Sequence, residues 1–368
     1  MTIVHEANDT RITAKHCQSL ADIKWDVWLV APGPRPVNFS KNINLKIVPR
    51  FRRRIVRMIL GNFYVLLEAI RIRAQIYHFH DPELIVSGVL LRLFGKIVVY
   101  DVHEDLPNQI LEKYYIPKRI RRFVAFFARF VEDSLTRCLS GVITVTPGLV
   151  RRFQAIHPRV ALVRNFPTTL EFKALQPRGA PVGRKLIYIG QIGRTRGVLE
   201  MLDCLYELNR KAPTQLVLGG RVVPSSLIGH LSSHIAWKHV DYRGELTRIQ
   251  VIDALRDSDL ALVILQPTES YKKSIPVKMF EYMAAGLPFI ASDFEDWREL
   301  LQSPEYCRFV DPNDPKSWAS VIEDILSSKV DYARSSRMAI EDVFFKFNWE
   351  SEFSHVIELY EDILGAKS

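Results

Sequence analysis

The feature that most constrains this chain is a strand-helix alternation that runs along its whole length and is interrupted once. Short β-rich runs at Thr2–Val4, Val27–Val30, Ile76–His78, Ile97–Asp101, Val142–Val145 and Ala161–Val163 alternate with helical stretches at Arg11–Leu20, Ile55–Ile70, Arg119–Leu139 and Gly148–Ala155. That order is the pattern of parallel sheets covered by helices. Between Phe166 and Lys185 it stops, and Pro167, Pro177, Gly179, Pro181 and Gly183 mark a linker. It resumes at Leu186–Ile189, Leu216–Leu218, His239–Tyr242, Leu260–Leu265, Phe289–Ile290 and Arg308–Val310. The expectation is an α/β protein with two Rossmann-like domains, residues 1–167 and 168–347, followed by a helical segment over 348–368. Ligands of such sheets bind at the carboxyl ends of the strands, so a cleft between the domains is the expected site.

Charge is divided unevenly between the halves. Residues 1–170 hold 26 Lys/Arg against 13 Asp/Glu, whereas the remainder is mildly acidic, giving +9 overall. A basic front half points to an anionic partner: nucleic acid, a membrane face or an anionic substrate. Cys17, Cys138, Cys204 and Cys307 are far apart with no metal-type spacing, which fits free thiols in a reducing compartment. The opening lacks the features of a secretory leader, and no apolar run reaches the ~18 residues of a spanning helix. A cytoplasmic protein, at most peripheral on a membrane, is expected.

The strongest local motif runs from Ser274 to Pro288. Pro276 suits a first helical position, Gly286 the place just past the helix end, and Pro288 blocks continuation. The N-terminus of that helix offers free backbone N–H groups to an anion. Met279, Met283 and Leu287 form its inward stripe, and Glu281 lies off it. On this spacing alone Glu281 reads as a solvated helix glutamate before it reads as a ligand contact. A second motif, Gly190-Gln191-Ile192-Gly193-Arg194-Thr195-Arg196-Gly197, follows the first strand of the second domain. Glycines there let the backbone approach a phosphate, and Arg194 and Arg196 can neutralise it. The spacing is neither GxGxxG nor GxxxxGK[ST], and a plain loop with solvated arginines fits equally well.

In the front half, Val98–Asp105 ends a strand and offers His103 as a polar contact, although a lone His at a strand end is commonly structural. His78-Phe79-His80-Asp81 could ligate a metal, but such a grouping more often shapes a turn. Phe51–Leu60 and Ile116–Phe127 are basic and amphipathic, suited to an anionic bilayer or to an ordinary helix surface. No helix-turn-helix, zinc or RNP-type motif accompanies the charge, so no nucleic-acid partner is expected.

Together these residues resemble the retaining glycosyltransferases of family 4, with the GT-B fold, of the bacterial polysaccharide-biosynthesis type. The resemblance runs from His5–Arg11 through Tyr100–Glu104, Gly190–Gly197 and Pro276–Pro288 to Phe347–Glu350. It implies that Glu281 holds the ribose of a donor nucleotide, that Arg196 binds its diphosphate, and that His103 reaches the donor sugar near the breaking bond. It also implies that the last helix crosses back to the first domain and that basic side chains replace a metal. Two positions depart from the family pattern. Lys273 stands where the E-x7-E motif has its first glutamate, and Gln191 stands where many members have arginine.

The resulting expectation is a metal-independent, retaining hexosyltransferase with no cofactor. Its catalytic residues are His103 and Arg196. The nucleotide contacts are Glu281, Arg196, Gly190, Arg194 and Lys278, and Asp9, Arg11 and Lys273 contact acceptor or donor sugar. Its donor is a UDP- or GDP-sugar and its acceptor a lipid-linked glycan or saccharide in cell-surface polysaccharide assembly (lipopolysaccharide or capsule), at the inner face of the membrane. The alternatives are a nucleotide-sugar epimerase of the same fold, which would convert donor alone, and a non-catalytic membrane-peripheral scaffold, which nucleotide diphosphate would not stabilise.

Overall fold

The computed structural model describes residues 1–37, 39–103, 105–112, 116–302 and 304–366. Two compact units emerge, Met1–Asn165 with Trp349–Ser368, and Phe166–Asn348. The first contains β1 (Val27–Pro32) paired with β2 (Ile43–Val48), and a four-stranded sheet of β3 (Ile76–Phe79), β4 (Ile97–Val102), β5 (Gly141–Thr144) and β6 (Val160–Leu162) in sequential order. The second is a six-stranded sheet of β7 (Lys185–Ile189), β8 (Gln215–Gly219), β9 (Val240–Gly244), β10 (Leu260–Val263), β11 (Phe289–Ser292) and β12 (Cys307–Val310), ordered β12-β11-β10-β7-β8-β9. Every pairing is parallel.

Strand alternation divides each core in two. In β4, Val98, Tyr100 and Val102 face a cluster built with Val65, Ala69, Ile85 and Leu91 of the covering helices. Ile97 and Val99 face the other way, against Trp349, Val356, Tyr360 and Ile363 of the final helix, Trp349–Gly365. The Trp349 indole N–H donates to Ser19 Oγ at 2.8 Å. In the second unit, Ala261 and Val263 of β10 face a cluster with Phe280, Met283 and Trp297, while Leu260 and Leu262 face one with Leu205 and Trp318.

Several elements differ from the sequence expectation. Thr2–Val4 is not a strand: its amides and the Thr2 hydroxyl turn inward onto the Asp81 carboxylate, with Ile3 N–H at 2.6 Å and Thr2 Oγ1 at 2.7 Å. β2 and the helix Ile85–Leu93 were not anticipated. β2 alternates apolar with Asn44 and Lys46 at a mostly exposed position, and so lacks a buried-strand signature. The segment from Phe166 to Lys185 is not a free linker. Phe166 stacks edge-on to Phe280 at 4.5 Å, and the Arg178 guanidinium donates to the Ser258 and Leu255 carbonyls at 2.6 and 2.7 Å. Pro276 caps its helix from outside, and the helix itself is Val277–Ala284.

Candidate functional site

Each unit carries its own cluster of functional side chains. In the first, β3 and β4 pair with His78 opposite Val99 and Phe79 opposite Tyr100. With a side-chain period of two, His78, His80, Asp101 and His103 project to the face shared with Val99. Helix Thr10–Cys17 supplies the rest. Asp9 caps it by accepting the Ile12 amide at 3.0 Å, and all eight of its residues are wound as π-helix. That winding brings residues five apart to one side, so Arg11 and His16 both point inward.

All of these groups converge on Asp101, which has no solvent exposure. Arg11 grips it with two N–H groups, Nη2 to Oδ1 at 2.9 Å and Nε to Oδ2 at 3.2 Å. Four imidazoles crowd the same carboxylate: His16 Nε2 at 3.2 Å, His80 Nδ1 at 3.2 Å, His103 Nδ1 at 3.3 Å and His78 Nε2 at 3.6 Å. None of those four ring nitrogens has hydrogen-bond geometry to a partner, and a carboxylate with about four lone-pair directions, two of them taken by Arg11, could not serve all four. Burial pushes the His16 imidazole down to about 3, against the pull of Asp101, and lowers His78 and His80 as well. Burial alone would raise Asp101, but Arg11 and His103 outweigh it and hold the carboxyl well below its ordinary range. The cluster is therefore one anion, one guanidinium and three neutral buried imidazoles, with His103 at its edge.

His103 and Arg11 open on a cavity of about 410 Å³ that also meets His5, Asp9, Arg54 and Asp81. The His5 ring pairs with Asp9 at 3.1 Å, so that bonds from His5 and Ile12 hold the Asp9 carboxyl below its usual range although burial opposes it. Asp9 and Arg11, expected as sugar contacts, thus flank the same cavity, with Arg11 doubling as the partner of Asp101. Glu104, in the motif that supplies His103, lies outside the described residues. Two triads, His16–His78–Asp101 and His80–Asp101–His103, have ligand-type atoms close enough to share a metal ion. Arg11 already neutralises their carboxylate, so a divalent ion would leave a buried net positive charge. His-x-His-Asp does not act as one unit: Asp81 serves the Thr2–Val4 turn, and the two histidines face Asp101.

In the second unit the chain leaves β7 through Gly190, whose φ of +130° suits glycine. It passes so close to the next loop that a Cβ on Gly220 would fall 1.9 Å from the Gly190 carbonyl oxygen. Lys278, from the first turn of Val277–Ala284, lays its ammonium 3.9 Å from the centre of the Tyr188 ring. Burial, reinforced by Arg196, pushes its pKa down to about 7. Arg196 stacks over Tyr271 at 4.7 Å, and its buried Nε has no hydrogen-bond partner. One turn on from Lys278, Glu281 Oε1 accepts from Arg248 at 2.6 Å, and Arg248 also holds Glu171 at 2.7 Å. Gly190, Arg196 and Lys278 are thus brought together, with Glu281 beside them, while Arg194 is exposed. Lys273 is turned to Asp296 at 3.0 Å. Arg248, Tyr271 and His16 escaped the sequence reading, and Tyr188, which leads into the glycine motif, was given no role there. Arg248 is 33 residues from its partner and carries no local signal.

Residues 10–166 match the model described as Glycosyltransferase Family 4, and residues 183–328 match Glycosyl transferases group 1. The chain belongs to glycosyltransferase family 4. Among curated relatives, the phosphatidyl-myo-inositol mannosyltransferase of Mycobacterium tuberculosis (strain H37Rv) is 23% identical over 193 residues, 50% of this chain and 48% of that protein. Spore coat protein SA of Bacillus subtilis is 21% identical over 188 residues, 49% of each. The chain thus spans about half the length of the curated relatives it matches. Among solved structures, sucrose-phosphate synthase of Thermosynechococcus elongatus superposes with a TM-score of 0.74 at 18% identity, covering 95% of this chain and 92% of that one. Anabaena HepE in complex with UDP gives 0.72 at 12% identity, covering 98% of each. This family 4 chain has the GT-B fold.

Proposed function

We propose that the protein transfers a hexose-type sugar from a nucleotide diphosphate donor, UDP- or GDP-linked, to a lipid-linked or saccharide acceptor in cell-surface polysaccharide assembly, working at the inner face of the membrane. The observation that carries this is the cationic loop site around Gly190, where half-buried Lys278 and Arg196 pair with no carboxylate among the described residues. A diphosphate supplies the missing anion. The UDP complex of HepE and the mannosyltransferase names of the relatives support a nucleotide-sugar donor.

In the proposed reaction the bond between the anomeric carbon and the diphosphate oxygen breaks, and the acceptor hydroxyl oxygen bonds to that carbon from the same face. The hydroxyl proton passes to the departing diphosphate, so configuration is retained. Lys278 and Arg196 stabilise the charge that develops on the leaving group, the role a metal plays elsewhere. Glu281 binds the ribose hydroxyls through Oε2, because Arg248 occupies Oε1 and fixes the side chain. His103, beside Asp101 at the edge of the 410 Å³ cavity, contacts a sugar hydroxyl, and that cavity receives the acceptor. Glu281→Gln is expected to weaken donor binding about tenfold, one charge-assisted hydrogen bond, with melting temperature unchanged. Wild-type KM for a UDP- or GDP-sugar in that variant sinks the assignment.

A further inference from the structure

The helix Lys118–Thr136 of the first unit is inside out. Its buried positions are Ala125, Glu132 and Thr136, whereas Ile120, Phe123, Phe126, Phe127 and Phe130 are all exposed, Phe123 and Phe126 by 69% each. A surface helix of a globular unit buries its large apolar stripe. Here Ile120, Phe123, Phe127 and Phe130, at i, i+3, i+7 and i+10, form that stripe on the outer side. On the polar inner side Glu132 is engaged, accepting from the Tyr100 hydroxyl at 2.9 Å and from Arg152 at 2.6 Å.

The neighbouring helices extend the same surface. Asn62–Ile72, Ile85–Leu93 and Lys118–Thr136 lie side by side over the β4 face that carries Val98 and Tyr100. On their outer sides stand Phe63, Val86, Leu93 and Phe94, and Ile55 and Ile59 continue the row from the preceding turn. Lys118, Arg119 and Arg122 are exposed along one border. The nearby acids are engaged, Asp133 by Arg152 and Glu83 by Arg57. The same Arg54–Gly61 stretch that carries Ile55 and Ile59 supplies Arg54 and Arg57 to the lining of the 410 Å³ cavity.

We propose that this face docks on an anionic bilayer, inserting Ile120, Phe123, Phe126, Phe127 and Phe130 among the acyl chains and setting Lys118, Arg119 and Arg122 at the lipid phosphates. A bilayer answers both halves of the surface at once, the aromatic row and its unbalanced positive border. A second copy would bring like-charged borders together. The inference builds on the membrane-facing reading of the basic unit and does not depend on the transferase chemistry. It also sets the mouth of the cavity beside the lipid, where an acceptor anchored by an apolar tail would arrive.

The test is co-sedimentation of the full chain with phosphatidylcholine vesicles with and without phosphatidylglycerol. Binding to the anionic vesicles is expected to persist in part at high salt. It should fall at least tenfold in Phe123→Ser/Phe127→Ser, with the melting temperature and its rise on adding UDP or GDP unchanged. Arg119→Gln/Arg122→Gln should lose the preference for phosphatidylglycerol while keeping residual binding. No vesicle binding, binding that survives the double serine variant, or a vesicle-free dimer that the serines dissolve would each overturn the proposal. Vesicle binding without any stabilisation by nucleotide would instead count against the transferase reading and leave the docking face standing.

Discussion

The two polar centres of this protein are built on opposite plans. Around Asp101 the positive partner and the imidazoles are already gathered on one buried carboxylate, and the charge is closed. Around Gly190 the cations are gathered without a carboxylate paired to them among the described residues, since Glu281 beside them is tied to Arg248. A closed network positions side chains and costs stability when broken. An open one is held in waiting and costs activity when broken.

Asp101→Asn should separate the two plans most sharply. It keeps the shape but leaves the Arg11 guanidinium buried and unpaired, a loss of about 3–5 kcal/mol in the stability of the first unit, measurable by urea unfolding. Stabilisation of the second unit by UDP or GDP should survive. If the variant is as stable as wild type, the network is not closed by Asp101.

Lys278→Ala should do the reverse. Transfer is expected to drop about 100- to 1,000-fold, the usual effect of removing one preorganised donor from developing charge, with folding intact or improved. Desolvation depresses the ammonium's pKa to about 7, so the folded, nucleotide-free protein releases its proton more readily than the unfolded chain. Nucleotide diphosphate binds the charged form, and its affinity should weaken by up to about tenfold per pH unit above that value. Calorimetric titration from pH 6 to 9 checks this, and a flat profile would show that Lys278 does not meet the diphosphate.

Acid offers a graded probe of the first unit. His16, with a pKa near 3, and the lowered His78 and His80 take up protons on unfolding. Their stability contribution is complete above the unfolded value near 6.5 and is lost as pH falls below it. The slope should approach about 1.4 kcal/mol per pH unit for each histidine that titrates. Unfolding of His16→Gln should show a shallower slope between pH 6.5 and 4. The smallest effect is expected at Lys273→Ala, whose largely exposed pair with Asp296 is worth about 0–1 kcal/mol, with donor affinity changed less than twofold. A larger loss would return Lys273 to the donor site.

Much of the fold was legible because alternation and caps are local signals. The strand-helix order of both units could be followed along the chain, as could the stop at Gly286, whose φ of +63° and close contact with Ser336 require glycine. The partners of the site residues were not legible. His78-Phe79-His80-Asp81 looked like a turn because nothing local records that β3 pairs with β4 in the register that sets His80 beside Asp101. Thr2–Val4 looked like a strand because its apolar pattern does not reveal that Asp81, nearly 80 residues away, captures its amides. Pro276 was displaced by one position, since proline is tolerated both at a cap and just inside it.

The near-contact between Gly220 and the Gly190 carbonyl has a consequence for how such a protein can change. Two loops that touch through backbone alone cannot drift apart in sequence by side-chain exchange, since any residue larger than glycine at 220 would push the neighbouring turn out of place. Variation in this loop must therefore come from its periphery, at exposed positions such as Gln191 and Arg194, around a hub whose shape two glycines fix.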